Sequence, residues 1–361
     1  MPSSTHWVES LSPWPPGGFG LDRIRALLGE LGDPQRRYPA VHVVGTNGKS
    51  TTTRLTEALL ADAGLAVGAY YSPHVVSWNE RIRVGGREAD FEHAVAAVRP
   101  AAERLGATQF EVLTAAALNA FADAQVDVAV VEAGLGGRHD ATNVLETRVV
   151  VLTNVALEHT DVLGDTREAI AAEKLAVVSP RSVVVLGEPE WEALALANGA
   201  ARVDVTARSN LALAVAAAEA FLGAPVDASA AEGIGLPGRL ERRSERPLEI
   251  WDGAHNLAGV GYLLPRLPDH EFVVVASILR DKRPELMLEA LSVVGRTLVA
   301  TESSNPRAVP APELAEVARR FFERVEVEPD PRAARTRALA AGGAVLVTGS
   351  LYLLSDLHGD R

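Results

Sequence analysis

Short apolar runs alternate with longer stretches of helical spacing through the first half of the chain. Runs rich in Val, Ala and Leu predict strands at residues 41–44, 66–71, 126–131, 148–153 and 183–186. Helical spacing is clear between them, for example from Leu21 to Leu31, where Gly32 and Pro34 follow. Because strands and helices alternate, we expect a mainly parallel sheet with helices packed against it.

The alternation restarts at Leu248. Further strands are predicted at residues 248–251, 272–276, 297–300, 325–327 and 344–347, again with helices between them. A chain of 361 residues is too long for one ordinary core. We therefore predict two α/β domains, residues 1–238 and the smaller, Rossmann-like residues 239–361.

Local signals mark two helix starts and an irregular beginning. Thr108 and Glu111 form a capping box. Thr166 precedes a helix whose Glu173 and Lys174 read, from the residues alone, as an exposed charged pair. Residues 1–20 are rich in Pro, Gly and Trp and predict an irregular arm, which packs against the domain through its aromatic residues, Trp7, Trp14 and Phe19.

The first strand leads directly into a glycine-rich turn and a helix, in the sequence VHVVGTNGKSTTT at residues 41–53. Glycines let the backbone aim N–H groups at an anion, the helix N-terminus faces it, Lys49 adds charge, and a hydroxyl reaches Mg²⁺. We interpret this turn as a phosphate loop rather than a ligand-free turn, although Val43 stands where the usual eight-residue form has glycine. The loop residues are Gly45, Thr46, Asn47, Gly48, Lys49, Ser50 and Thr51.

Polar side chains follow three other predicted strands. They are Ser72, Glu132 and His159. Ligands of open parallel sheets bind beyond the carboxyl ends of the strands, and a carboxylate there suits Mg²⁺. The alternative for each residue is a structural one, a turn or helix cap or a satisfied histidine. Arg81 and Arg83 could likewise belong to a small hairpin closed at residues 85–86.

Composition narrows the function classes. The chain is 47% hydrophobic and 23% charged, which is typical of a globular protein, and it has no cysteine, which excludes disulfides and thiolate chemistry. Its formal net charge of −12 disfavours nucleic-acid and anionic-membrane binding. No apolar stretch approaches the roughly 20 residues that span a bilayer. We expect a cytoplasmic protein, for which a monomer is the simplest assumption.

A series of motifs occurs in the order found in folylpolyglutamate synthase and dihydrofolate synthase, which belong to the Mur ligase superfamily. The motifs are GLDRIRALLGELGDPQ, GTNGKST, YSPHVVSWNERIRV, VVEAGLGGRHDATN, TNVALEHTDVLGDTREAIAAEKLAVV, LPGRLE, DGAHN and VTGSLYLL. The chain resembles this family over about residues 17–178 and 236–354. The resemblance implies an ATP-binding P-loop domain of the Mur ligase central type, followed by a C-terminal Mur ligase domain.

The resemblance also implies roles for single residues. The loop with Lys49 would hold the ATP phosphates, and Ser50 or Thr51 would bind one Mg²⁺. A second Mg²⁺ would be held by Ser72, Glu132, His159 and a carbamylated Lys174. Lys49, His159 and Lys174 would act most directly in catalysis. In the second domain the nucleotide contacts would be Arg239, Asp252, His255 and Asn256.

The chain departs from the family pattern at several positions. Ser50 stands where the family usually has glycine, Glu158 replaces an aspartate, and Leu257 replaces a proline after Asn256. Residues 179–211 are also trimmed, since family members usually carry extra antiparallel strands there. Because we expect the trimmed part to lie away from the phosphate loop, we expect ATP chemistry to persist and stability or substrate reach to change.

The hypothesis is an ATP-dependent acid–amino-acid ligase that adds L-glutamate to a folate or to dihydropteroate. ATP would phosphorylate the acceptor carboxylate, and the amine would then displace phosphate. By motif position, the candidate folate contacts are Trp78, Arg81, Phe110 and Arg138. Two alternatives remain open from the sequence, a Mur-type ligase acting on a different carboxylate and a catalytically silent relative that binds nucleotide.

Overall fold

The computed structural model describes residues 3–13 and 18–359. The chain divides into two compact units, Met1–Ile234 and Gly235–Arg361. Each unit has its own sheet and its own apolar core. The expectation of two mostly parallel α/β domains is therefore confirmed.

The first unit is built on one sheet whose strands run in the order β4-β3-β2-β5-β1-β6-β7-β8. The strands are β1 Ala40–Val44, β2 Val67–Tyr70, β3 Ile82–Val84, β4 Arg87–Glu88, β5 Val128–Glu132, β6 Thr147–Leu152, β7 Val183–Leu186 and β8 Arg202–Val205. All pair in parallel except β3 and β4, which form the predicted antiparallel hairpin. Arg83 lies in this hairpin, as the structural alternative predicts, whereas Arg81 lies in the 3-10 turn that precedes β3.

Helices cover both faces of this sheet. They are α1 Ser4–Ser10, α2 Asp22–Glu30, α3 Lys49–Asp62, α4 Phe91–Leu105, α5 Gln109–Asp123, α6 Thr160–Leu163, α7 Arg167–Leu175, α8 Glu192–Ala197 and α9 Asn210–Leu222. Alternate strand residues divide between the two layers: Val128 and Val130 pack towards α3 and α9, whereas Ala129 and Val131 pack towards α2, α4 and α5. Because the central strands are parallel, the segments after β1, β5 and β6 emerge at one edge.

The N-terminal arm differs from its prediction. Residues 4–10 form α1 rather than an irregular segment, and Trp7 is buried. A residue distant in the sequence holds the helix in place, because the Glu92 carboxylate accepts hydrogen bonds from the Ser4 and Thr5 backbone N–H groups. Trp14 lies outside the described residues.

The second unit has a sheet in the order β13-β12-β11-β14-β10-β9. Its strands are β9 Glu241–Glu245, β10 Leu248–Trp251, β11 Phe272–Ala276, β12 Thr297–Ala300, β13 Arg324–Val327 and β14 Ala344–Thr348, and its helices are α10 Leu257–Leu263, α11 Pro284–Leu291, α12 Ala311–Ala318, α13 Pro331–Ala340 and α14 Leu351–His358. The antiparallel edge strand β9 was not predicted. Over the described part of the chain, no helix is both long and apolar enough to cross a bilayer.

Candidate functional site

The predicted phosphate loop is the turn between β1 and α3. Gly45 has φ +145° and Gly48 has φ +83°, backbone conformations that residues other than glycine rarely adopt. Space forbids a larger residue as well, because an added Cβ at Gly45 would lie 1.9 Å from Thr153 Oγ1. Lys49 begins α3, and its ammonium donates to the Thr46 carbonyl at 3.3 Å. The loop thus faces the positive end of a long helix with a lysine beside it.

The segment after β6 holds the loop in place. Thr46 N donates to the Asn154 carbonyl at 2.9 Å, and Asn47 N donates to Asn154 Oδ1 at 3.1 Å. The Asn47 carbonyl in turn accepts from Asn154 Nδ2 and from Thr153 Oγ1, both at 2.8 Å. The paired bonds to Asn154 lock the loop onto the neighbouring strand end.

Glu132, the last residue of β5, joins the phosphate loop to the segment after β2. Its carboxylate accepts from Ser50 Oγ at 2.9 Å and from the Ser72 backbone N–H at 3.0 Å. The side chain is 2% exposed, so the alternative of a surface cap does not apply. The buried Ser72 hydroxyl has no hydrogen-bond partner among the described residues. An unpaired buried oxygen beside a carboxylate and a second hydroxyl matches the hard oxygen ligands that Mg²⁺ prefers.

A second buried carboxylate supports this arrangement from α3. Glu57 accepts from Tyr71 Oη at 2.5 Å, from Arg54 Nη1 at 2.6 Å and from Arg83 Nε at 3.1 Å. Tyr71 directly precedes Ser72, so this network connects the phosphate-loop helix to the segment that carries the unpaired hydroxyl.

Lys174 is not the exposed residue that its helix position suggested. Its side chain is buried, and Nζ donates to the Gly45 carbonyl at 2.8 Å. Burial, reinforced by the nearby positive charge of Lys49, lowers the pKa of Lys174 to about 7. The glycine-rich loop packs closely on this helix, because a Cβ added at Gly137 would lie 2.5 Å from the Lys174 carbonyl. A substantial fraction of this amine is therefore neutral near physiological pH.

His159 is positioned differently from the other proposed metal ligands. It precedes α6 with φ +52°, its side chain is 36% exposed, and its Nε2 lies 4.0 Å from Glu158 Oε1. Direct hydrogen bonds join Ser50, Glu132 and Ser72, and Lys174 contacts the same loop through Gly45. In the described ranges, no cluster of three or more His, Asp and Glu side chains could hold a metal. A metal ion bound beside Glu132 would therefore need the hydroxyl groups of Ser50 and Ser72 as ligands.

The candidate folate contacts form two aromatic groups. Trp78 packs against His74, with centroids 4.4 Å apart, and the Arg81 guanidinium lies 4.8 Å from the Trp78 ring. Burial and Arg81 lower the pKa of His74 to about 3. Phe110 lies 6.1 Å from the Tyr70 ring, and a Cβ added at Gly134 would meet it at 2.4 Å. Phe110 thus lies directly against the loop that follows Glu132.

Arg138 lies on the outer side of this loop. Its Nε is 3.5 Å from Glu173 Oε2, and its backbone N–H donates to the Glu173 carbonyl at 3.0 Å. The side chain is 55% exposed, which leaves most of the guanidinium accessible to solvent. The pairing anchors the glycine-rich loop on α7, one residue before Lys174.

A buried polar chain supports the far end of the same loop. Asp140 accepts from the Leu135 and Thr142 backbone N–H groups and from Thr142 Oγ1, at 2.6, 3.0 and 2.5 Å. The Thr142 hydroxyl also lies 2.8 Å from His42 Nε2 in β1. Because that hydroxyl donates its proton to Asp140, His42 Nε2 is the donor to it. Burial lowers the pKa of His42 to about 3, so its imidazole is neutral.

Asn210 is a site residue that sequence reasoning missed. A Cβ added at Gly48 would lie 2.4 Å from Asn210 Oδ1, so this amide rests against the phosphate loop. The available signal was Ser209, whose side chain caps α9, followed by a polar residue at the first position of an otherwise apolar helix. The trimmed region therefore reaches the phosphate loop, contrary to the expectation that it lies apart.

The predicted nucleotide contacts of the second unit lie together after β10. Asp252 accepts from the Leu240 and Ala254 backbone N–H groups, each at 2.8 Å. Burial raises its pKa, an effect opposed by Arg239. Asn256 caps α10, and His255 Nδ1 lies 2.8 Å from the Gly253 carbonyl. Asp252 and Asn256 thus have structural hydrogen-bond partners within the second unit.

Buried hydroxyls gather at the carboxyl edge of the second sheet. Ser303 and Thr348 have buried side-chain oxygens with no hydrogen-bond partner within the described part of the chain. Ser303 N donates to Ser277 Oγ at 2.9 Å, which links the ends of β12 and β11. Strand order changes direction between β11 and β14, the position where open α/β sheets bind ligands.

Comparison with known proteins identifies both units. A family model described as the Mur ligase middle domain matches residues 43–208, and one described as Mur ligase, glutamate ligase domain matches residues 238–351. The dihydrofolate synthase/folylpolyglutamate synthase of Mycobacterium tuberculosis is 35% identical, over 82% of this chain and 76% of that protein.

Solved structures of folylpolyglutamate synthases resemble this chain over nearly its whole length. E. coli FolC in complex with DHPP and ADP has a TM-score of 0.89 at 30% identity, covering 98% of this chain and 96% of its own. A bifunctional folylpolyglutamate synthase/dihydrofolate synthase with Mn, AMPPNP and L-glutamate bound has a TM-score of 0.86 at 30% identity, covering 99% of this chain and 97% of its own. The chain belongs to the folylpolyglutamate synthase/dihydrofolate synthase family of Mur ligases.

Proposed function

We propose that this chain is an ATP-dependent ligase that joins L-glutamate to the carboxylate of a folate or of dihydropteroate. The observation that carries the proposal is the contact of Glu132 with both Ser50 and Ser72, which combines a phosphate loop with buried oxygen donors. The substrates are those of the family, whose named members include dihydrofolate synthase/folylpolyglutamate synthase.

The reaction needs an activated carboxylate, because an amine cannot expel oxide from a carboxylate. An acceptor carboxylate oxygen attacks the γ-phosphorus of ATP, ADP leaves, and an acyl phosphate forms. The glutamate amine then attacks the acyl carbon, phosphate leaves, and the amine loses a proton. Lys49 and the N–H groups of the loop hold the phosphates in line, so no protein nucleophile is required.

The fit of Ser50, Ser72 and Glu132 to a hard cation supports magnesium as the cofactor. We propose that Ser50 contributes to one Mg²⁺ and that Ser72, Glu132, His159 and Lys174 contribute to a second. Bound magnesium would neutralise charge on the ATP phosphates. The chain's own part is to keep Ser72 Oγ unpaired and to hold Glu132 between the two serines.

We propose further that Lys174 is carbamylated. Its neutral Nζ adds to the carbon of CO₂ and releases one proton, which gives an anionic carbamate with oxygen donors. The lowered pKa of Lys174 favours this step because only the unprotonated amine is nucleophilic. The product would replace a buried amine by a carboxylate-like ligand beside Gly45.

We propose different binding residues for the pterin-containing acceptor and for the glutamate. Phe110 is proposed to stack on the pterin, since it lies against the loop after Glu132, with Trp78, Arg81 and Arg138 as further contacts. The unpaired hydroxyls of Ser303 and Thr348 support the carboxyl edge of the second sheet as the glutamate site. Arg239, Asp252, His255 and Asn256 are proposed as nucleotide contacts of the second unit.

A substrate panel tests the proposed function. ADP release should require both L-glutamate and either dihydropteroate or a reduced folate, and the product mass should equal acceptor plus glutamate minus water. Release with another acid and amine would assign a different Mur-type reaction. Nucleotide binding without ADP release on any pair would identify a silent relative.

A further inference from the structure

Glu188 lies where the trimmed segment meets the phosphate-loop unit. It follows β7 by two residues, and its side chain is 4% exposed. Gly187 beside it fits between two other segments: an added Cβ there would lie 3.1 Å from the Thr153 carbonyl and 3.6 Å from Arg208 Cα. The backbone at this point therefore runs between the loop after β6 and the segment before α9.

The Glu188 carboxylate binds both of those segments. Oε2 accepts from the Val155 backbone N–H at 2.9 Å, from Trp191 Nε1 at 2.9 Å and from Arg167 Nη2 at 3.1 Å. The Arg208 guanidinium lies 2.8 Å from Oε1. Arg167 also donates to the Val155 carbonyl at 3.0 Å, so both peptide groups of Val155 are held.

Two of these contacts, those with Val155 and Arg208, lie within two positions of a residue that touches the phosphate loop. Val155 directly follows Asn154, which makes three hydrogen bonds to the loop residues Thr46 and Asn47. Arg208 precedes Asn210, whose amide rests against Gly48. The buried Glu188 carboxylate thus contacts the two segments that carry Asn154 and Asn210, and each of these asparagines contacts the phosphate loop.

We propose that Glu188 is a positioning residue for the nucleotide. It acts through Asn154 and Asn210 on the phosphate loop, and it makes the trimmed region part of the ATP site. The inference rests on the proposed function only in taking the loop to bind nucleotide. A carboxylate is required because Arg167 and Arg208 must both be neutralised while the Val155 N–H is accepted.

The test is ADP binding by calorimetry on the full chain with Mg²⁺, together with the melting temperature. Glu188→Ala is expected to weaken ADP binding about tenfold, since a charge-assisted hydrogen bond to the loop's support is lost. In turnover, the KM for ATP should rise while the KM for the acceptor stays within about twofold. Glu188→Gln keeps the acceptor for Val155 and should recover part of the affinity.

Glu190→Gln is the matched control. Glu190 pairs with the same Arg167 nitrogen at 3.1 Å, but its carboxylate is 46% exposed. This variant should leave ADP affinity unchanged. If Glu188→Ala does not fold, Arg208→Gln serves instead, because that side chain is 66% exposed and its loss should weaken ADP binding about threefold.

The outcomes are distinct. A lowered melting temperature with unchanged ADP affinity in the Glu188 variants would overturn the proposal and leave Glu188 as a structural brace. Unchanged affinity in Arg208→Gln would overturn the route through Asn210. If the unsubstituted chain itself binds no ADP, the proposed function fails rather than this inference, whereas a chain that binds ADP without ligating folate still tests it.

Discussion

Burial changes the chemistry of Lys174 more than its sequence neighbours indicate. The residues alone read as an exposed Glu-Lys pair on a helix, but the glycine-rich loop covers the lysine and directs its amine to Gly45. Water is removed from the ammonium, so its pKa falls to about 7. The family resemblance identified this residue, whereas periodicity could not, because the covering loop comes from a distant part of the chain.

If Lys174 is carbamylated, its replacement by arginine should abolish turnover. Lys174→Arg should lose turnover as completely as Lys174→Ala, because a guanidinium stays protonated and cannot add CO₂. Steady-state ADP release measures both variants. A small carboxylic acid in the buffer is expected to restore some activity to Lys174→Ala only. Full activity in Lys174→Arg would remove the carbamate.

His42 gives a pH dependence with a definite sign. Its pKa is about 3 in the folded chain against 6.5 for a solvated histidine, so its neutral form contributes stability that is complete above pH 6.5. That stability is lost as pH falls from 6.5 towards 3, because the unfolded chain takes up the proton first. The carboxyl groups also titrate in this range, so a difference between variants is required.

His42→Gln provides that difference, since its amide can donate to Thr142 without titrating. Between about pH 7 and pH 5, the advantage of the unsubstituted chain should shrink by about 2 kcal/mol. Urea unfolding at several pH values measures it. Parallel pH profiles for the two proteins would show that His42 does not carry a lowered pKa.

At the level of elements, the link between α3 and the segment after β2 depends on Tyr71 and Glu57. Tyr71→Phe removes one hydrogen bond to a buried carboxylate and should cost about 1–3 kcal/mol of unfolding free energy. Because Ser72 is adjacent, the variant should also need more Mg²⁺ for half-maximal turnover.

Tyr70→Phe is the control for this pair of effects. Its hydroxyl is also buried, but it lies 3.5 Å from Thr114 Oγ1 and is not a partner of Glu57 in the described residues. This variant should lose stability without a change in the Mg²⁺ requirement. An identical magnesium response in the two variants would disconnect the Tyr71 network from the metal site.

The sequence predicted most elements, and two that it missed, α1 and β9, depend on contacts with residues outside their own segments. The central strands and their helices were predicted because their apolar runs are continuous, as expected for parallel strands buried on both faces. The helix α1 depends on Glu92, a partner 88 residues away. The strand β9, ERRSE, is charged as edge strands often are, so pairing with β10 rather than apolar alternation defines it.

At the scale of the whole molecule, the same rule organises both units. Each sheet gathers its polar residues beyond the carboxyl ends of parallel strands, the phosphate loop and Glu132 in one unit and the buried hydroxyls in the other. The phosphate loop and Glu132 were predictable from strand ends and motifs, whereas the hydroxyls of Ser303 and Thr348 were not singled out. Asn210 and Glu188 were not, because their roles come from contacts between distant segments.

The central claim is that this chain activates an acceptor carboxylate with ATP before glutamate attacks. The most direct measurement uses dihydropteroate or a reduced folate whose carboxylate oxygens are labelled with oxygen-18. After turnover with L-glutamate, mass spectrometry should find one labelled oxygen in the released phosphate and the other in the amide of the product. Unlabelled phosphate, with the oxygen that the acceptor loses found in water or in another product instead, would contradict the account.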